Sequence, residues 1–166
     1  EPVPKILLQV KINDEPVRAL LDSGAATSVL AAEDARRLGV TPESPGVVSG
    51  GCSYGIGQKP VDGWIGQFRS FAMDNELIHD PKINFAELWR HTTYTATGSH
   101  VPRRLAGLPE MLLGVDFLRA HRVLIAHSQR KVYFTYTGGP VFFTRQGKPC
   151  GETSPDLRKG SERAKD

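Results

Sequence analysis

RALLDSGAATSVL, Arg18 to Leu30, is the stretch on which the reading of this chain turns. Its core positions are apolar or small, as in a buried strand, yet Asp22 stands in the middle with no basic residue beside it. A carboxylate taken out of water alone is costly, so such a group acquires a partner or changes its protonation. One resolution is a second carboxyl within about 3 Å, so that the two hold one proton between them. One member then serves as general base toward water and the other as general acid toward a scissile carbonyl, and the apparent pKa values belong to the pair.

The chain around this stretch is rich in turns. It has 166 residues, of which 17 are Gly and 12 are Pro, and 39% are hydrophobic. That length fits one domain, and the punctuation favours a β protein over a helical bundle. Lys5 to Asn13 places Ile6, Leu8, Val10 and Ile12 on one face, which is strand periodicity. Asp14-Glu15-Pro16 reads as a turn and VRALLD as the returning strand. SVL reads as a short strand and AAEDARRLGV as a short helix, acidic early and basic late as the helix dipole prefers. SGGCSYGIG, from Ser49 to Gly57, is a glycine-rich hairpin, and WIGQFRSFAM and KINFAEL are further strands. Residues 86–110 have no clean period and read as a long insertion. Met111 to Leu113 is a buried strand, broken by Gly114, after which Asp116 is placed to cap a short helix. RVLIAH, SQR and KVYFTY form a last hairpin, VFF reads as an edge strand, and residues 147–166 read as a polar tail. The expected domain is therefore 1–146.

Several chemistries are set aside. The net charge of +3 and pI of about 9.0 come from scattered residues and the tail, not from the basic stripe with interleaved aromatics of a nucleic-acid binder. The glycine-rich segment is followed by Pro60 and Gly63, not by the helix of a phosphate cradle. The five histidines have no metal-ligand spacing, so neither a metal nor a cofactor is expected. Ser23 lacks the glycine elbow of a serine nucleophile, and Cys52 has no base placed beside it. Cys52 and Cys150 either pair or are both free, and two cysteines do not fix a compartment. No apolar run is long enough to span a membrane. The chain begins without Met, so upstream sequence is expected to have been removed.

Asp22-Ser23-Gly24-Ala25, preceded by Leu20-Leu21 and followed by Thr27-Ser28-Val29-Leu30, resembles the active-site loop of the retropepsin-like aspartic proteases. Leu112-Leu113-Gly114-Val115-Asp116-Phe117-Leu118 resembles their second signature, in wording closer to bacterial than viral members. The order of elements from Ile6 to Phe143 matches as well. The resemblance implies an all-β fold, a small closed acid-protease barrel with a flap hairpin and one or two short helices. It implies a catalytic Asp22, loop support from Ser23, Gly24 and Ala25, a flap tip and substrate contact at Gly50 and Gly51, and second-motif support from Leu113, Gly114 and Asp116. Viral members often carry a second acidic residue after the loop and an arginine after the second glycine; here Ala26 and Val115 stand there, and no orphan charge is left.

No second Asp-Ser/Thr-Gly occurs in the sequence. The implied enzyme is thus an endopeptidase acting on polypeptide as a homodimer with two Asp22 carboxylates facing each other, or one completed by another acid-protease domain. The other reading is a catalytically weak module that keeps the fold for peptide binding or dimerisation. The bacterial resemblance implies a periplasmic or cell-envelope address, with the cytoplasm as the other.

Overall fold

The structure, a computed structural model, describes residues 5–54, 59–89, 93–94, 103–104 and 107–151. It is mostly β. Strands β1 (Leu7–Ile12) and β2 (Glu15–Leu21) form the expected hairpin, with Val10 opposite Val17 and Leu8 opposite Ala19. Val10 and Ile12 point into the core and Gln9 and Lys11 out of it, so the period-two pattern is obeyed. The turn differs from the sequence reading. It is Asn13-Asp14, with φ of 54° and 68°, which suits a tight two-residue hairpin loop, and Glu15 and Pro16 already belong to β2.

The remaining strands are β3 (Val29–Ala31), β4 (Val48–Tyr54), β5 (Pro60–Gln67), β6 (Ser70–Met73), β7 (Glu76–His79), β8 (Lys82–Ala86), β9 (Thr93–Tyr94), β10 (Arg103–Arg104), β11 (Met111–Leu113), β12 (His121–Ala126) and β13 (Lys131–Tyr136). The helices are α1 (Ala32–Arg37) and α2 (Val115–Arg119). Nine strands form one sheet in the order β4-β5-β8-β3-β11-β2-β1-β6-β7; β12 and β13 pair with each other, as do β9 and β10. No ladder joins the end strands β4 and β7 among the described residues. WIGQFRSFAM is two strands, β5 and β6, not one, and β7 was not foreseen. Val141 to Phe143 form no ladder. Instead, Phe143 is held at both ends of its backbone: its N–H donates to Asp116 and its carbonyl accepts from Asn84.

Phe68, Phe71, Phe85 and Phe117 are fully buried. Phe117 of α2 packs edge-on against Phe71 and Phe134 and stacks on His121 at 4.2 Å. These contacts hold α2 and the β12–β13 hairpin against the sheet. His121 donates through Nδ1 to the Phe117 carbonyl at 2.7 Å, and its Nε2 lies 2.6 Å from Glu76 of β7.

One crossing positions the rest. β11 runs parallel to β2, with Leu112 beside Leu20 and Leu113 beside Leu21, and antiparallel to β3. At the end of β11, Gly114 passes so close to the 25–27 segment that an added Cβ would lie 2.6 Å from the Ala25 carbonyl oxygen and 2.7 Å from that of Thr27. Gly114→Ala is therefore expected to destabilise the fold by about 1–3 kcal/mol or more, because the obstruction is backbone; a denaturant titration measures it.

On the outer side, α1 lays Asp34 beside Arg37, which also reaches Glu110. Burial first, then the Glu110 charge, push the Asp34 carboxyl above its ordinary value, while Arg37 pulls the other way. A raised folded value means that the charged form is disfavoured in the fold, so stability falls as pH rises through it. Asp34→Asn is expected to be more stable than the parent at pH 7 by less than about 1 kcal/mol. The advantage should vanish below the ordinary carboxylate value of 3.8, where both side chains are neutral. Melting curves at pH 3 and pH 7 test this.

Candidate active site

The Asp22 loop leaves β2 beside the end of β11. The Asp22 N–H donates to the Leu113 carbonyl at 2.9 Å, and the Val115 N–H donates to the Ala25 carbonyl at 2.8 Å. Each motif thus ties down the other's turn. Within the loop the Gly24 N–H donates to Asp22 Oδ1 at 2.9 Å, and the Ala25 N–H donates to the Asp22 carbonyl. A Cβ on Gly24 would stand 3.1 Å from that same Oδ1, so a side chain there would crowd the carboxylate.

Beneath the loop lies Ser28, fully buried. Its hydroxyl donates to Asp116 Oδ1 at 2.7 Å and accepts from the Gly114 N–H at 3.0 Å. Its own N–H donates to the same Asp116 oxygen at 2.8 Å. The Phe117 N–H adds a third donor to Oδ1, and the Phe143 N–H takes Oδ2. Asp116 therefore does not cap α2 from outside. It is the second residue of that helix, Gly114 occupies the cap position with no side-chain cap bond, and the carboxylate faces inward to the Asp22 loop.

The Asp22 side chain is half-buried, while Ser23, Gly24 and Ala26 are exposed. Asp22, Ala25, Thr27, Val29 and Leu112 line a cleft of about 550 Å³. Ser53, Tyr54 and Val61 form another wall, and Glu87, Leu88 and Trp89 a third. No Lys, Arg or His is paired with Asp22 among the described residues.

The sequence reading of Gly50 and Gly51 is corrected in place. Both lie within β4, the hairpin's turn falls outside the described residues, and neither glycine lines the Asp22 cleft. Their neighbour is Gly147. Residues 147–150, read as the start of a tail, lie against β4 and β5, and Cys150 is bonded to Cys52. In the insertion, β9 and β10 form a short antiparallel pair, and Trp89 Nε1 donates to the Pro109 carbonyl. Ser28 was the residue missed. It stands in the Thr27-Ser28-Val29-Leu30 part of the resemblance, as a hydroxyl immediately before an apolar run, but carries no role there.

A family model described as aspartyl protease matches residues 8–117, the span from β1 to α2. The DNA damage-inducible protein 1 of Kluyveromyces lactis is 27% identical over 123 residues, which is 74% of this chain but 24% of that protein. The chain thus spans about a quarter of that relative's length. Among solved structures, the EIAV protease complexed with the inhibitor HBY-793 is 24% identical with a TM-score of 0.47, covering 70% of this chain and 86% of that one. A retropepsin-like aspartic protease from Rickettsia conorii is 16% identical with a TM-score of 0.47, covering 74% and 76%. The retroviral protease-like domain of Ddi1 from Leishmania major is 18% identical with a TM-score of 0.46, covering 80% and 90%. With the family model spanning both the Asp-Ser-Gly loop and the Leu-Leu-Gly turn that locks it, the chain belongs to the aspartyl protease family.

Proposed function

We propose that the protein is an aspartic endopeptidase in which the Asp22 carboxylates of two copies activate one water against a peptide bond. The observation that carries this reading is the placement of Asp22: half-buried at a cleft floor, on a loop fixed from below by Ser28 and Asp116. The one chain brings one such carboxylate, and its loop leaves Ser23, Gly24 and Ala26 exposed. A two-fold axis beside that surface brings the second carboxyl to the first.

In the paired site the deprotonated carboxylate takes a proton from water as it attacks the scissile carbonyl carbon. The protonated partner hydrogen-bonds to the carbonyl oxygen and protonates it as the tetrahedral intermediate forms. On collapse of that intermediate the newly protonated carboxyl gives its proton to the leaving amine, while the newly ionised partner takes the proton of one hydroxyl as the product carbonyl re-forms, so the pair again holds one proton. No covalent enzyme intermediate is required. Ser23 is the loop residue we assign to contact across the axis, and the polypeptide substrate lies along the cleft under Ser53 and Tyr54. The Cys52–Cys150 bond supports an oxidising compartment such as a periplasm or cell envelope.

Asp22→Asn keeps an oxygen that can accept the Gly24 N–H, so the variant is expected to fold with near-parental stability. Its kcat for peptide cleavage should fall by about 10²–10⁴-fold or more; full activity in the folded variant rules out the catalytic role. Sedimentation and activity over a dilution series test the pairing. Specific activity is expected to fall as dimer dissociates, and cleavage by a species that stays monomeric throughout contradicts the shared site.

A further inference from the structure

Among the described residues β4 is the end strand of the sheet, with β5 as its one sheet neighbour. Its ladder to β5 slips between Ser49 and Gly51, so Gly50 is left without a β5 partner. That residue bridges Gly147 in parallel, and the Gly147 N–H donates to the Ser49 carbonyl at 3.2 Å. The approach excludes side chains: a Cβ on Gly147 would lie 2.8 Å from the Gly51 Cα. Gly51 has a φ of +96°, a conformation that suits glycine.

Three residues further on, the same segment is taken hold of twice. Cys52 and Asp62 are directly opposed on β4 and β5. Cys52 bonds covalently to Cys150, and Asp62 Oδ1 accepts the Cys150 N–H at 2.6 Å. The two residues after Cys52, Ser53 and Tyr54, and the residue before Asp62, Val61, are the ones this hairpin contributes to the Asp22 cleft. A bond made only to close a long loop has no need of this placement.

We propose that Cys52 and Cys150 are positioning residues, and that their bond with the Asp62 contact fixes where the Ser53–Tyr54–Val61 wall stands over Asp22. Cys52 is exposed, so a dithiol can reach it. One dithiol thiolate attacks a sulfur of the bond and releases the other cysteine as a thiolate that takes up a proton. The second dithiol sulfur then displaces the mixed disulfide, leaving two cysteine thiols and an oxidised cyclic dithiol. The wall then keeps the glycine bridge, the Asp62 hydrogen bond and the β5–β8 ladder, but loses its covalent tie to the 147–150 segment.

Hydrogen exchange on the whole protein tests this, in the parent, in Cys52→Ser/Cys150→Ser, and in the folded parent reduced with dithiothreitol. Exchange in 48–54 and 60–64 is expected to quicken by about tenfold or more, with β1, β2 and β11 unchanged. Asp62→Ala, which keeps the disulfide, should give a smaller change in the same residues. The catalytic arm rests on the protease reading above. There, loss of the bond should raise KM by about fivefold with kcat within about twofold, the split expected of a wall that places substrate. If no form cleaves peptide, the protease reading fails and the exchange arm still decides the tether. Unchanged exchange in the hairpin overturns the proposal. So does loosening or unfolding throughout the sheet, which would make the bond a general staple of the fold.

Discussion

The Asp116 carboxylate collects four donors: the Ser28 N–H and hydroxyl, the Phe117 N–H and the Phe143 N–H. They come from three parts of the chain that are remote in sequence. Asp116 is buried, and in such surroundings each bond is stronger than in water, while any donor left unpaired carries its full desolvation penalty. Truncating Asp116 would therefore strand the Ser28, Phe117 and Phe143 N–H groups at once, and truncating Ser28 would strand the Gly114 N–H. The loop that carries Asp22 rests on this cluster, and so does the turn at Gly114, whose N–H donates to Ser28 Oγ. The geometry of the Asp22 loop is a property of the crossing between β2 and β11 more than of the loop itself.

Much of this crossing was legible because it depends on residue types that have few substitutes. A glycine facing backbone oxygens cannot be replaced by a larger residue, so Leu-Leu-Gly announces the crossing as plainly as Asp-Ser-Gly announces the loop. Alternation in β1 and β2 fixed their faces for the same local reason. Ser28 was silent because a buried hydroxyl is explained only by its partner, and that partner is 88 positions away. The place of Asp116 was misread for a related cause: beside a short helix an aspartate has a local use as a cap, and here a long-range one prevails. Gly50 and Gly51 look like turn glycines in isolation. Their reason is the approach of Gly147, which no pattern near them encodes. The hairpin turn at Asn13-Asp14 was displaced by two residues because Asp-Glu-Pro is equally good turn chemistry. The strand it precedes tolerates Pro16, which needs no N–H there.

The β12–β13 hairpin stands outside the large sheet, yet it is not loosely attached. Phe134 packs on Phe117 and His121, and the Thr137 N–H donates back to the Ala120 carbonyl. Its opposite face carries Leu124 directly across from Tyr133, both exposed. The hairpin thus joins the core through one face only, with the aromatic cluster under α2 as the joint. That cluster joins the hairpin to α2, the helix from which Asp116 reaches inward.

The insertion begins and ends at a pinch. Arg18 Nη2 donates to the Leu108 carbonyl, the Arg18 N–H donates to Glu110, and Trp89 Nε1 donates to the Pro109 carbonyl. Both feet are anchored in the body before the chain departs, and once the feet are set, lengthening the span between them costs little. The consequence is modularity. Sequence grafted between the two feet could change in length and chemistry without asking the β2–β11 crossing to adjust, while its first residues, Glu87 to Trp89, would still overhang the cleft. A protein built this way can vary the chemistry at one edge of its cleft while the Asp22 loop stays unaltered.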